Sequence, residues 1–312
     1  FRRGGTYMKK AICILLSFVL FVFLSVTAYA AEDTNGQAGE TVTTVYTNEY
    51  DYIQMLQNCT QEELAEFGFS QVDVDEIVAA FFSAITERAV LSDDALYDLG
   101  YGKEEIDTLR AYSKGARVSN AEIRGLAAVL TARIRVNYCG TKSATFRYEW
   151  CWDHAPFMAL QDSAAMRWIA FDSRGHELDV TKTVEEVKIN YYLGTECKAT
   201  LRGMQEPDLD FNSINVQFDE NILCGGPNGP TTAYGRDGSI RITVEVEDSV
   251  KNNINYIKVA ALYGHTLIGA NAPSISLSPT GSISISFSGN VSIDKIGGHK
   301  VKIGVGSTIE DI

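Results

Sequence analysis

Beyond its first thirty residues this 312-residue chain has no second apolar run long enough to cross a bilayer, no basic stripe and only four histidines. Each absence removes a class of function. Without a further stretch of about 18 apolar residues, nothing is expected to anchor the body of the protein in a membrane. After residue 30 there are 23 Lys and Arg against 40 Asp and Glu, a net charge of −17, and the basic residues form no run. Phosphate recognition needs such a run, so nucleic acid is not an expected partner. His154, His176, His265 and His299 stand apart, none paired with another at metal-ligand spacing, and each reads as a turn or satisfied core residue. No metal and no other cofactor is expected. The G-x-S-x-G elbow, the H-E-x-x-H helix, the P-loop and the dinucleotide glycine pattern are also missing, so no catalytic residue is nominated.

What is present begins with an export signal. Lys9 and Lys10 precede an apolar run, and Ala28-Tyr29-Ala30 meets the acidic Glu32. Residues 8–30 therefore read as a signal peptide with synthesis starting at Met8, and residues 1–7 as a translated upstream leader. The expected location is extracellular or cell-wall-associated in a Gram-positive-type bacterium, with membrane contact only through the transient signal segment. Residues 31–48 are rich in Thr, Gly and Glu without an apolar period, and read as a flexible lead.

Acidity is concentrated early: residues 31–118 hold 18 acidic and 5 basic residues, and residues 119–312 hold 22 and 18. The apolar period changes as well. Over residues 49–131 it is helical, as at Val74, Ile77, Val78, Phe81, Phe82 and Ile85. Thr60 with Glu63 and Ser119 with Glu122 form capping boxes, the latter opening a helix through Ile123, Leu126, Ala127 and Leu130. Leu64-Ala-Glu-Phe-Gly-Phe69 matches Leu96-Tyr-Asp-Leu-Gly-Tyr101 at an offset of 32 residues, which implies two copies of a helix, glycine, helix unit in a small bundle. Asp73-Val-Asp75 opens like a calcium loop, but Val78 and Ala84 stand where glycine and glutamate would be needed. These carboxylates are assigned to a helix N-terminus.

From residue 132 to 312 the period is two and the turns are Asp-Gly, Asn-Gly and Pro-Thr-Gly. Strands are expected near 133–138, 144–152, 165–172, 184–192, 240–246, 254–263, 274–278, 282–288 and 300–305, with Asp237-Gly238 as a hairpin turn. The fold class is α+β in two domains, an N-terminal helical bundle and a C-terminal antiparallel β-sandwich. In an oxidising exterior, Cys139 with Cys151 and Cys197 with Cys224 are expected as disulfides closing short loops, leaving Cys59 free.

Three features invite function. Phe146, Tyr148, Trp150 and Trp152 alternate onto one face of a strand that ends at Asp153 and His154. These rings are either core packing or a ligand platform, and Tyr148, Trp150, Trp152, Asp153 and His154 are the candidate binding residues for a glycan or an extracellular protein. The serine-alternating stretch Ser274 to Ile293 suggests a pore-forming hairpin, but Pro273 and Pro279 limit its first arm to five residues, too few to span. Cys151 near His154 suggests a thiol hydrolase, although strand geometry sends the two side chains to opposite faces. The acid pairs Glu185-Glu186 and Asp219-Glu220 read as solvated surface.

The Leu96 to Leu109 segment, Leu-x-x-Leu-Gly-Tyr-x-x-x-Glu-Ile-x-x-Leu, resembles a segment of uncharacterised secreted proteins of Gram-positive bacteria that also end in a β-rich domain. The resemblance extends loosely to Tyr263-Gly264-His265 and implies no particular activity. A secreted, non-enzymatic binding protein is the expected function, with a membrane-active protein or a secreted hydrolase as alternatives.

Overall fold

The computed structural model describes residues 41–140, 142–203, 212–226, 229–246, 253–267, 274–277, 285–288, 291–302 and 309–311. The expected leader and signal segment, together with Pro273 and Pro279, lie outside them. The protein is α+β: a helical region is followed by two antiparallel β-sheets, and the described residues belong to one compact unit.

The helices among the described residues are α1 (Glu49–Asn58), α2 (Gln61–Glu66), α3 (Gln71–Ala89), α4 (Asp93–Asp98), α5 (Lys103–Ser113) and α6 (Asn120–Leu126). Side-chain caps explain most of their starts. Thr60 with Glu63, Ser70 with Asp73 and Ser119 with Glu122 each exchange hydrogen bonds reciprocally across the first turn. Asp73 is thereby occupied at a helix N-terminus, where its carboxylate accepts the Ser70 N–H at 2.7 Å. α2 and α4 end in the same way, with Gly68 and Gly100 at φ 82° and 91°, a region that penalises any Cβ. The aromatic that follows each glycine is buried, and its N–H returns to the helix, from Phe69 to the Leu64 carbonyl and from Tyr101 to the Leu96 carbonyl. No helix among the described residues is long and apolar enough to cross a membrane.

The strands are β1 (Thr41–Asn48), β2 (Val129–Cys139), β3 (Ser143–Trp152), β4 (Gln161–Phe171), β5 (Glu177–Leu178), β6 (Val180–Leu193), β7 (Glu196–Arg202), β8 (Ser213–Asp219), β9 (Asn221–Gly226), β10 (Gly229–Val246), β11 (Tyr256–Thr266), β12 (Ser274–Leu277), β13 (Ile285–Ser288), β14 (Val291–Lys302) and β15 (Ile309–Asp311). Sheet A runs β1-β2-β3-β10-β6-β7, with β9 also on β10. Sheet B runs β15-β14-β11-β4-β5, with β8 also on β4. Alternate residues of the two sheets interdigitate in one core, Phe146, Trp150, Ile240 and Ile242 from sheet A meeting Met166, Trp168, Val216, Phe218 and Val259 from sheet B. The helices enclose a second core around Ile53, Ile77, Phe81 and Leu109, which Phe157, Met158 and Leu267 of the sandwich complete. β12 and β13 pair alone over four residues, with Ile275 opposite Phe287 and Leu277 opposite Ile285.

Several expectations are corrected. The lead is not flexible throughout: Thr41–Asn48 form β1, the edge strand beside β2, and an apolar period was never required because an edge strand is held by its backbone ladder. The last helix stops at Leu126, since Ala127 is extended and Leu130 already pairs with Trp152. Asp237-Gly238 is no turn but lies inside β10. A Cβ on Gly238 would fall 2.2 Å from Cζ2 of Trp150, so close approach of the indole requires the glycine.

The disulfides are also corrected, since Cys59, Cys151, Cys197 and Cys224 are free thiols. Cys151 sits opposite Thr131, eight residues along β2 from Cys139. That separation is about 26 Å at a rise of about 3.3 Å per residue, whereas a bridge needs Cα atoms within about 7 Å. Cys197 on β7 is three strands from Cys224 on β9, with β6 and β10 between them, or about 14 Å at a strand spacing of about 4.8 Å.

Candidate functional site

The aromatic strand faces inward. Tyr148, Trp150 and Trp152 are at most 2% exposed, so they build the sandwich core and offer no open stacking surface. Trp150 stacks on Phe218 with ring centroids 5.8 Å apart, and Trp152 meets Tyr263 edge-on at 6.1 Å. Asp153 and His154 serve the junction with the helical region. Asp153 Oδ1 accepts the Val129 and His154 N–H groups, each at 2.8 Å. Burial would raise its carboxyl, but the His154 imidazole and these N–H groups outweigh that and hold it below the usual carboxylate range. His154 is buried, with Nε2 2.9 Å from the Leu126 carbonyl and its ring edge-on to Tyr101 at 4.5 Å. Cys151 turns the other way, beside Asp237, and burial together with that carboxylate pushes its thiol up. Cys151 and His154 form no dyad, and the Cys151 thiol is not activated.

The buried charges converge elsewhere. Asp162 at the start of β4, Glu220 at the β8–β9 corner, His265 near the end of β11 and Glu49 at the first position of α1 are 0, 1, 3 and 3% exposed. His265 Nδ1 lies 3.2 Å from Asp162 Oδ1, 3.4 Å from Asp162 Oδ2 and 3.2 Å from Glu220 Oε1. Its other nitrogen, Nε2, is 3.6 Å from Glu49 Oε1, too long for a direct hydrogen bond. Backbone donors fix each carboxylate. Phe157 and Met158 N–H bond Glu49 at 3.0 and 2.9 Å, Leu160 N–H bonds Glu220 Oε2 at 2.8 Å, and Thr266 N–H bonds Asp162 Oδ1 at 3.1 Å. The Tyr263 hydroxyl donates to Asp162 Oδ2 and accepts from Trp152 Nε1 at 3.1 Å. Of the candidate residues drawn from the aromatic strand, Trp152 alone reaches this cluster, its ring 5.0 Å from that of His265.

The electrostatics follow from desolvation set against proximity. Burial and the Asp162 charge drive the Glu220 carboxyl well above its ordinary value, with His265 opposing. Burial disfavours an imidazolium, yet Glu220 and Asp162 more than offset it and raise His265 well above its usual range. Glu49 is held low, because His265 and the two backbone donors overcome the penalty of burial. Burial, Asp162 and Glu220 together raise the Tyr263 phenol.

Sequence reasoning placed Asp219-Glu220 on the solvated surface, and this is corrected for Glu220, which is sealed at a strand corner. Asp162 and Glu49 were not singled out. The available signals were a charged residue heading the apolar run of β4, and the Tyr263-Gly264-His265 tripeptide.

A second feature is open to solvent. The outer face of sheet A carries a groove of about 430 Å³ lined in part by Arg133, Arg147, Lys188, Glu149, Asn190 and Asp237. Arg133, Arg135 and Arg147 surround Glu149 at 2.6, 2.7 and 3.2 Å. Burial alone would raise the Glu149 carboxyl, but the guanidinium groups of Arg133, Arg147 and Arg135 hold it below the usual range. Lys188 makes no ion pair among the described residues.

No family model matches the chain, and no curated protein matches it. Among solved structures, one titled "AvmM Catalyzes Macrocyclization in Alchivemycin A Biosynthesis" aligns over 54% of this chain and 84% of its own, at 10% identity and a TM-score of 0.23. That likeness lies below the level at which a shared fold is established.

Proposed function

We propose that this chain is an exported, non-enzymatic binding protein whose sandwich presents the groove on sheet A to a carboxylate-bearing extracellular glycan. The groove carries the reading. It is open and polar, and it gathers cationic side chains on a protein whose overall charge is strongly negative. Arg133 and Lys188 can each donate charge-assisted hydrogen bonds to a ligand carboxylate, while Asn190 beneath them is buried and held by Asp237 and Thr200. The groups best suited to acid–base chemistry, Asp162, Glu220 and His265, are shut off from solvent, which favours binding over turnover. In the sequence, Pro273 and Pro279 leave the first arm of the Ser274 to Ile293 stretch five residues, short of the about 9–11 that a membrane-spanning strand needs.

The test is co-sedimentation of the purified protein with peptidoglycan and with carboxylated and neutral polysaccharides. Retention is expected on the carboxylated polymers, weakened about tenfold or more in the Arg133→Ala/Lys188→Ala double variant. No retention on any polymer, or a double variant that behaves like wild type, would overturn the reading. A partner captured only as a protein would replace the glycan.

A further inference from the structure

We propose that Asp162, Glu220 and His265 form a structural site for one first-row divalent cation of the zinc and manganese class, with Glu49 orienting the imidazole from behind. The argument starts from an accounting of donors. His265 Nδ1 can carry a single hydrogen, directed at Asp162, yet three carboxylate oxygens lie within 3.4 Å of it. Glu220 Oε1 is consequently left without a hydrogen-bond donor among the described residues, although its residue is 1% exposed. A buried carboxylate oxygen with no partner is costly, and a cation is the partner that three converging acceptors share.

The spacing agrees. One ligand atom from each of the three residues falls within 4.8 Å of the others, and the imidazole nitrogen is 3.2 Å from each nearest oxygen. Two ligands bonded to one ion at about 2.0–2.2 Å are separated by about 3.0–3.4 Å at tetrahedral or octahedral angles. Two carboxylates with one imidazole favour zinc or manganese over calcium or magnesium, which take oxygen ligands.

The surroundings are those of a metal centre. Glu49, pinned by the Phe157 and Met158 N–H groups, faces His265 Nε2 and would fix the tautomer that offers Nδ1 to the ion. Leu160 N–H holds the far oxygen of Glu220 and leaves Oε1 facing His265, while Tyr263 and Thr266 orient Asp162 through Oδ2 and Oδ1, each of which keeps a further lone pair for an ion. The ligands come from β4, the β8–β9 corner and β11, and Glu49 comes from α1, so an ion here would lock the helical region to the sandwich. Three side chains leave at least one coordination position, which a second oxygen of Asp162 or Glu220 can fill, and burial of all three residues keeps bulk solvent and substrate from it, as suits a structural role.

The test uses the purified full chain, stripped with chelator and titrated separately with Zn²⁺ and Mn²⁺. One ion per chain by elemental analysis is expected, with Tm raised by about 5–10 °C once the free ion exceeds Kd about 100-fold. Glu220→Gln should abolish binding and Glu49→Gln should weaken it about 10–100-fold. Lys103→Ala, at an exposed position of α5, should bind the ion as wild type does. Should the interior variants fail to fold, Co²⁺ loaded into the wild type gives an independent reading, since a bound imidazole yields one hyperfine-shifted exchangeable N–H resonance. Absence of stoichiometric metal, a Co²⁺ form without that resonance, or undiminished binding by a folded Glu220→Gln variant would overturn the site.

Discussion

The outer face of sheet A and the seam beneath the helices hold charge clusters of opposite composition: three guanidinium groups around Glu149, with Glu186 also paired to Arg147, and one imidazole among three carboxylates. Solvent separates their consequences. Glu149 and its arginines keep between 18 and 41% of their side-chain surface in water, so hydration screens any imbalance and surplus positive charge remains available to a ligand. Around His265 the exposure is at most 3%, so nothing but protein, protons or an ion can balance the charges. On the proposed readings, crowded charge serves a binding surface where water reaches it and a structural lock where it does not.

That contrast can be broken most forcefully from the inside. Asp162→Ala would strip partners from Tyr263, Thr266 and His265 at once, and a loss of about 3–5 kcal/mol is expected in urea unfolding, as for the breaking of buried ion pairs. A loss under 1 kcal/mol would mean that water reaches the seam. Next comes Gly238→Ala, on the strand that forms the groove floor, where the new methyl must displace the Trp150 indole. A cost of about 1–3 kcal/mol is expected, accompanied by a changed Trp fluorescence spectrum.

The smallest effect belongs to the exposed cluster. Glu149→Gln should cost about 1 kcal/mol or less at neutral pH. Its sign with pH is definite: because the folded protein holds this carboxyl below its unfolded value, the stabilisation is present above about pH 4.3 and is lost as pH falls through the folded value. The urea midpoints of wild type and variant should therefore converge between about pH 5 and pH 3. A gap that widens on acidification would contradict the assignment of the three arginines to Glu149.

Much of the fold was legible because its causes are local. Caps such as Thr60 with Glu63 act over three residues, the helical stripe from Val74 to Ile85 over a few turns, and the alternation of Phe146, Tyr148, Trp150 and Trp152 within one strand. β1 escaped notice since an edge strand needs no apolar pattern of its own. The candidate site was largely illegible. Glu220 looks like any surface acid until Leu160 and His265, 60 and 45 positions away, close over it.

The chain by itself determined where the capped helices begin, which faces of its strands are apolar, and that a helical region gives way to antiparallel sheets, because backbone sterics, capping and side-chain periodicity involve near neighbours. Only the tertiary structure decided that the aromatic rings turn inward, that the thiols stay apart, and that Glu49, Asp162, Glu220 and His265 share one buried cluster. Distance and dielectric between residues remote in sequence are properties of the packed chain, and they govern whether a charge is solvated, paired or available to an ion.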